Sequence, residues 1–499
     1  MGEKNVVTFE EALDRTGFGL YNYVLVGAIG LITIAFVTVS YSTTIIVPAS
    51  ACELETTVTQ RGLLAAGPIV GLIIGGSLWG VLSDLYGRRL MMFISLLAAA
   101  AVNALCSISV HWGMLLGLQF ITALIASGQY SQGMTMLSES VPLAKRNIVV
   151  LIVSSFSLLS QGLMTALAIP IIPLKFSYYL PSLNIYWNSW RTLMVVYSIP
   201  SLISAAWIYA MEESPKFAYA RGNEAESLRI LRKIHRINNR GTNMEFEVEG
   251  ILKENVEKQA TNIKEQILPL FKTPLLKNTV IMTLLFLFQQ VGSFLIWLPT
   301  IANQFVQIVQ TGEGTNQTLC GVLNKSLNEE PDPDVDPCSL NVTAMVIVLA
   351  MGALHSIFNL LISVVINRVG RRNMVIIVSS VCGICGILVN VVPNVIGSGI
   401  LFLIYLIGIV VTGLYAAMGV ALFPTYLRVF AVALTMTGGR IGTFASVQIL
   451  NFLLVNNCEV GFYTFTTIFT SSAILAAFLV DDRRLVKNLE KASKETNDL

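Results

Sequence analysis

Charge is scarce in this sequence. Of 499 residues only 12% are Asp, Glu, Lys or Arg, while 54% are hydrophobic. Soluble domains carry roughly twice that charged share, so a water-soluble globular chain is excluded. Groups that do covalent chemistry are scarce too. There are three histidines, no phosphate-binding glycine loop closed by a lysine, no cluster at metal-ligand spacing and no nucleophile motif. These absences argue against an enzyme, an ATP-driven pump, a bound metal and a cofactor.

What is present is apolar sequence in long runs. A helix needs about 20 mostly apolar residues to cross the hydrocarbon layer, and such runs lie near 23–47, 63–82, 90–110, 113–137, 148–172, 192–211, 278–308, 342–366, 373–393, 398–423, 430–455 and 460–480. Barrel strands would be half as long and would alternate apolar with polar residues. The sequence therefore predicts an all-α integral membrane protein with twelve transmembrane helices. The first run is too long for a signal peptide and lacks a small-residue cleavage site, so the amino terminus is expected to be retained.

Orientation follows from lysine and arginine, which collect on the cytoplasmic side. With both termini cytoplasmic, the inner segments hold Arg88, Arg89, Lys145, Arg146, Arg368, Arg371, Arg372, Arg428, the basic stretch 216–277 and the tail from Arg483. The outer segments hold only Arg61, Lys175, Arg191 and Lys325. The net charge of +2 is thus sorted by side, as membrane topology requires, and no nucleic-acid surface is indicated. The expected organisation is a cytoplasmic segment 1–22, a six-helix half 23–211, a cytoplasmic linker 212–277, a second half 278–480 with an outer loop 310–341, and a cytoplasmic tail 481–499. A monomer in the plasma membrane or a vesicle membrane is expected.

The outer loop gives an independent check. It contains three glycosylation sequons, at Asn316, Asn324 and Asn341, and two cysteines, Cys320 and Cys338. A disulfide between these two would close a loop rich in Pro and Asp. Cys52 and Cys458 also sit at outer helix ends, so three pairings remain open. Cys106, Cys382 and Cys385 lie in apolar spans and are expected to pack in the core. Gly67, Gly71 and Gly75 form a small-residue ridge suited to helix packing.

One phrase occurs twice. GVLSDLYGRR runs from Gly80 to Arg89, and SVVINRVGRR from Ser363 to Arg372, with Asn367 in the place of Asp84. A second landmark recurs at the same interval to within a single position. Pro142 and Arg146 of ESVPLAKR return as Pro424 and Arg428 of ALFPTYLR. Matching intervals argue for two pseudo-symmetric six-helix halves, one of the known transporter plans.

The pattern Gly80-x-x-x-Asp84-x-x-Gly87-Arg88-Arg89 resembles the loop signature between the second and third helices of the major facilitator superfamily. Ser189-Trp190-Arg191, Glu213-Ser214-Pro215-Lys216-Phe217, Trp297-Leu298-Pro299, the Glu139, Pro142 and Arg146 set and FEEALDRTGFG (Phe9 to Gly19) resemble its synaptic vesicle glycoprotein 2 and organic-ion transporter branch. The resemblance implies the twelve-helix facilitator fold and transport of a small organic solute by alternating access.

In such a carrier the cytoplasmic helix ends close and reopen. Gly80 and Gly87 are expected to allow close approach and a tight turn. Asp84 and Glu139 supply carboxylates to Arg88, Arg89 and Arg146, forming a latch that favours the closed-inside state, and Glu213 belongs to the same cytoplasmic gate. The alternative is that Arg88 and Arg89 only anchor the loop by the positive-inside rule. In the second half the acids are missing, since Asn367 and Ala421 stand where Asp84 and Glu139 stand. Gly370, Arg368, Arg371, Arg372 and Arg428 remain, so that latch is expected to be weaker. Family members commonly carry a glutamate at the position of Ala421.

Charged groups at bilayer depth are costly and mark function. Arg440, about ten residues into the eleventh span, is the clear case, and no Asp or Glu lies at comparable depth. It pairs with a carboxylate or phosphate on the solute, or else braces the bundle. The resemblance associates arginine here with anion carriers. It also implies acids in the first span, where this chain has Ala35 to Val39 as AFVTV, and an arginine where it has Gln119. Without a titrating carboxylate, uniport or exchange is favoured over proton symport. Gln119, Gln161, Gln289, Gln290, Trp297, His355 and Tyr415 are further cavity candidates, with packing or helix-to-helix bonding as the alternative for each. A facilitator-fold protein that has lost transport and serves as a receptor, scaffold or vesicle component is the rival reading.

Overall fold

The computed structural model describes residues 6–240, 246–252, 268–273, 275–311, 316–328, 340–423 and 425–479. Among them are twelve helical segments long and apolar enough to cross a membrane. The first six are Leu20–Ser50, Val58–Tyr86, Arg88–Ile108, Trp112–Ser140, Leu143–Ala168 and Ser189–Ala210. The second six are Leu275–Gln307, Val342–Ile366, Arg371–Leu388, Val395–Gly419, Ala431–Asn456 and Cys458–Ala477. Each corresponds to one expected run, and the boundaries differ because caps and loops, which hydropathy does not register, set the helix ends.

Two compact units emerge: Met1–Ile46 with Val70–Lys258, and Val47–Ile69 with Gln259–Leu499. In the first, the third span packs along the sixth; in the second, the ninth packs along the twelfth. Those third and ninth helices, Arg88–Leu105 and Arg371–Leu388, are both 18 residues long, and their starts are separated by the same interval as Asp84 and Asn367. The repeat read from two phrases is thus a repeat of packing. The glycine ridge on the second span behaves as expected, since a Cβ on Gly71 or Gly75 would meet the backbone oxygens of Phe120 and Leu124 at 2.5 and 2.2 Å. Gly80 does not serve this purpose, for a Cβ there meets nothing within 4 Å.

The turn of the first hairpin, Val47–Ile69, groups with the second unit and makes polar contacts there. Asn451 Nδ2 donates to Val58 O at 2.8 Å, and Gly62 leaves room for Gln448 and Asn451. In the same unit Cys320 bonds to Cys458 with the Cα atoms 5.6 Å apart, so among the three open pairings the one that joins Cys320 to Cys338 does not form. The helix Leu319–Asn328 packs against the eleventh and twelfth spans and so carries Cys320 to the start of the last helix. Cys52 is also disulfide-bonded, and Cys338 lies outside the described residues. Cys106, Cys382 and Cys385 are free.

A small module covers the linker side of the first unit. Val6–Val7 pairs in parallel with Gly250–Ile251. Thr8 caps the short helix Phe9–Asp14, and Asn223 caps the linker helix Glu224–Asn238. Phe9, Ala12 and Leu13 pack against Leu228, Leu231 and Ile251. The apolar stripe of the linker helix is therefore spent on protein, not on the bilayer. Gly19 is needed where the chain enters the first span, because a Cβ there would lie 2.8 Å from Asn238 O.

Candidate functional site

The repeated phrase begins at a backbone turn. Gly87 adopts φ 105° and Gly370 φ 86°, a region that costs other residues about 1–2 kcal/mol, and each starts a helix directly afterwards. A helix start exposes unpaired N–H groups. At Arg88 and Arg89 they donate to the Glu213 carboxylate at 3.1 Å, so an acid from the linker caps the third span. Gly87 serves this approach as well, since a Cβ there would stand 2.5 Å from Glu213 Oε2.

Side-chain charge completes the cluster. Arg88 Nη2 lies 3.1 Å from Asp84 Oδ1 and 3.2 Å from Glu139 Oε1. The Asp84 side chain is 71% exposed, whereas those of Arg88 and Glu139 are 14% and 12% exposed. Solvent screens the first pair to below about 1 kcal/mol. The second, shielded pair is the one whose loss would strand a charge. Ser214 donates to the other oxygen of Glu139 and accepts from Phe217 N, which ties the linker to the fourth span. Arg146 pairs with Glu10 at 2.9 Å, and Asp14 accepts from Leu143 N at 3.1 Å. The amino-terminal helix thus supplies the acids that meet the fifth span.

All these bonds lie within the first unit. Sequence reading grouped Asp84, Glu139, Glu213, Arg88, Arg89 and Arg146; the structure joins Asp84, Glu139 and Glu213 at Arg88 and at the Arg89 backbone, whereas the Arg146 guanidinium pairs with Glu10 and that of Arg89 with the Tyr209 carbonyl. It did not find Glu10, Asp14, Glu212 or Ser214, because their partners are distant in sequence and only folding joins them. The FEEALD and ESPKF phrases were the available signal.

In the second unit two of the arginines donate to carbonyls. Arg371 donates to Ala417 O at 3.0 Å, and Arg372 to Ala477 O at 2.6 Å at the end of the twelfth span. Arg89 donates in the same manner to Tyr209 O at the end of the sixth and lies over the Tyr209 ring. Arg368 is exposed. The side chains of Asn367, Ala421 and Arg428 lie outside the described residues.

A different feature marks the seventh span. Its helix stops at Leu287 and restarts at Val291, leaving Phe288, Gln289 and Gln290 outside helical geometry at membrane depth. Such backbone is tolerated in a membrane only inside protein or beside a polar cavity. Gln289 donates to Gly408 O at 3.1 Å and Gln290 to Leu287 O, but the amide oxygen of each is buried with no partner among the described residues. Two helical turns beyond Gln290, the buried Trp297 indole N–H is likewise unpartnered among the described residues. Phe286 meets Tyr415 edge-on at 5.5 Å, and the Tyr415 hydroxyl faces Ser379 and Ser472.

Arg440 stands on the helix that presses on this span. A Cβ on Gly438, Gly439 or Gly442 would come within 2.7–2.9 Å of Thr283, Phe286 or Leu287. At about 100° per residue, Arg440 occupies the opposite side of its helix. It is half-buried and engaged by the protein, although sequence offered it no acidic partner. His355 is buried, bonded to the Leu406 backbone, and has Asn359 one turn on.

Gln119 sits elsewhere, in a buried network of the first unit. It accepts from Ser42 at 3.1 Å and contacts Asn103 and Cys106. Gln161 is half-buried and also bonded. Arg191, which sequence placed in an outer segment, is instead 1% exposed, donates to Ser107 O at 2.6 Å and lies 4.4 Å from the Trp190 ring. The helix starts at Ser189, earlier than hydropathy suggested, and takes Arg191 inside. Of the sequon residues, Asn316 and Asn324 are exposed. Asn341 caps the eighth span, and its amide nitrogen donates to Gln310 at 3.0 Å.

Residues 28–447 match the family model described as Major Facilitator Superfamily. The chain is 27% identical over 231 residues to the putative transporter svop-1 of Caenorhabditis elegans, covering 46% of this chain and 42% of that protein. It is 25% identical over 225 residues to the synaptic vesicle 2-related protein of Xenopus laevis, covering 45% and 38%. It is 24% identical over 232 residues to human synaptic vesicle glycoprotein 2B, covering 46% and 34%. The chain thus spans less than half the length of these curated relatives. Its fold is similar to that of the xylose transporter XylE from E. coli in a partially occluded inward-open conformation. The TM-score is 0.65 at 16% identity, over 92% of this chain and 98% of that one.

Proposed function

Since this chain belongs to the major facilitator superfamily, we propose that it carries a small organic solute across a membrane by alternating access. The observation that carries this reading is the interrupted seventh span. Buried amide oxygens at Gln289 and Gln290 and the buried Trp297 N–H are desolvated at a cost that a bound solute would offset. Interrupted helices at mid-membrane are where transporters hold their solutes.

The preferred solute is an organic anion with hydroxyl or amide donors. Its donors meet Gln289 and Gln290 and its acceptor meets Trp297, while Arg440, on the side of its helix turned away from the seventh span, is a separate candidate partner for a carboxylate or phosphate through the planar fork of its guanidinium. Uniport or exchange is the favoured mode, because the spans carry no Asp or Glu at the depth of Arg440. Both termini face the cytoplasm in this reading, and the protein resides in the plasma membrane or a vesicle membrane. Glycosidase treatment should then raise gel mobility through Asn316, the exposed sequon on a turn.

Uptake into proteoliposomes, screened over organic anions, cations and sugars, tests the proposal. Saturable uptake of an anion is expected, reduced at least about tenfold by Arg440→Gln at unchanged abundance. Equal loss of uptake and abundance would assign Arg440 to bracing the bundle. Absence of uptake in all three classes would leave a receptor, scaffold or vesicle component as the reading.

A further inference from the structure

The linker helix Glu224–Asn238 spends one face on the protein and leaves the other charged. Leu228, Leu231 and Ile234 are buried, while Arg229, Arg232, Lys233 and Arg236 recur at helical spacing on the exposed side and line one shallow pocket. Two of the four cations are already satisfied. Arg229 meets Glu212 at 2.8 Å and Glu226 at 2.7 Å, and Lys233 also meets Glu212. Arg232 and Arg236 have no ion-pair partner among the described residues.

Glu212 fixes where this face lies. It is two residues past Ala210, the last residue of the sixth span, so the bridges to Arg229 and Lys233 hold the basic face beside a membrane-crossing helix end. That end is at headgroup level. A buried apolar stripe excludes insertion into the hydrocarbon, which leaves attraction of charge as the mode of contact.

We propose that the exposed basic face of the linker helix binds the anionic headgroup of a phospholipid in the adjoining leaflet, with Arg232 and Arg236 as its principal ligands. Phosphate and carboxylate oxygens are acceptors suited to two guanidinium forks. The assignment rests on the cytoplasmic orientation of the linker, since the cytoplasmic leaflet is the anionic one. It does not depend on which solute is carried, or on whether one is.

The test uses the full chain purified in neutral detergent and given equal amounts of phosphatidylserine and phosphatidylcholine, with bound lipids counted by native mass spectrometry. The wild type should prefer phosphatidylserine. Arg232→Gln with Arg236→Gln should lower that preference about tenfold or more, with the thermal midpoint unchanged, and Arg232→Lys with Arg236→Lys should keep most of it. An unaltered preference in the glutamine variant overturns the site. Loss in the lysine variant overturns recognition by charge. Displacement of phosphatidylserine by chain-free glycerophosphoserine at equal concentration overturns the assignment to lipid in favour of a soluble anion.

Discussion

The first and second halves write the same phrase with the same backbone and different chemistry around it. Gly87 and Gly370 both turn the chain in the left-handed region, and both precede an 18-residue helix. Arg89 and Arg372 both donate to a carbonyl at the end of the last span in their own half. The difference lies in the first arginine. Arg88 meets Asp84 and Glu139, whereas Arg371 meets the carbonyl of Ala417, one helical turn before Ala421. Glycine and the second arginine serve helix geometry, so they persist in both copies. The acids serve a charge cluster that, among the described residues, is built in the first half, with help from Glu213 and the amino-terminal helix.

Replacing the two glycines should separate these roles most strongly. Gly87→Ala combines unfavourable φ with collision against Glu213 and is expected to cost about 3 kcal/mol or more, whereas Gly370→Ala should cost about 1–2 kcal/mol from φ alone. Thermal unfolding of the purified variants measures both. Equal losses would mean that the linker acid adds nothing to the turn.

Restoring the missing acids should make the halves more alike. Asn367→Asp with Ala421→Glu would offer carboxylates to the arginines of the second phrase, a gain of about 1–3 kcal/mol if shielded. In the alternating-access reading this favours the closed-inside state, so alkylation of a cysteine placed on the cytoplasmic side should fall about fivefold or more. Asp84→Asn should have a small opposite effect, because that carboxylate is mostly exposed. Unchanged labelling in the double variant would reduce the second phrase to a charged anchor.

The smallest expected effect concerns acid. Burial alone would raise the Glu212 carboxyl, but hydrogen bonds from Lys233 and Arg229 hold it below its ordinary value of 4.5. A depressed carboxyl stabilises fully above that value and ceases to do so as pH falls through its folded-state pKa. Amide exchange in the linker helix, corrected for its intrinsic pH dependence, should therefore show the same protection at pH 7.5 and pH 5.5 and lose protection only in more acidic solution. Lost protection at pH 5.5 would show that Glu212 is not held in this way.

Much of this architecture was legible because hydropathy and repeat spacing are local properties. Twelve runs gave twelve spans, two recurring phrases gave the internal repeat, and the resemblance to the superfamily is borne out by the family match. What escaped was set by tertiary contact. Cys320 found Cys458, Arg146 found Glu10, and Arg191 became buried because its helix starts early, none of which a spacing rule encodes. The glutamines at 289 and 290 were visible, but the break that gives them meaning was not, since their span reads as continuously apolar.

The difference between the halves is tested most directly by removing each first arginine and then its acid. Unfolding midpoints should be compared for Arg88→Gln, Arg371→Gln, and Arg88→Gln combined with Glu139→Gln. Loss of Arg88 strands a shielded carboxylate and should cost about 2–4 kcal/mol, loss of Arg371 about 1 kcal/mol, and neutralising Glu139 should recover most of the first loss. Equal costs for the two arginines, or no recovery with Glu139→Gln, would contradict a shielded Arg88–Glu139 pair that sets the first half apart.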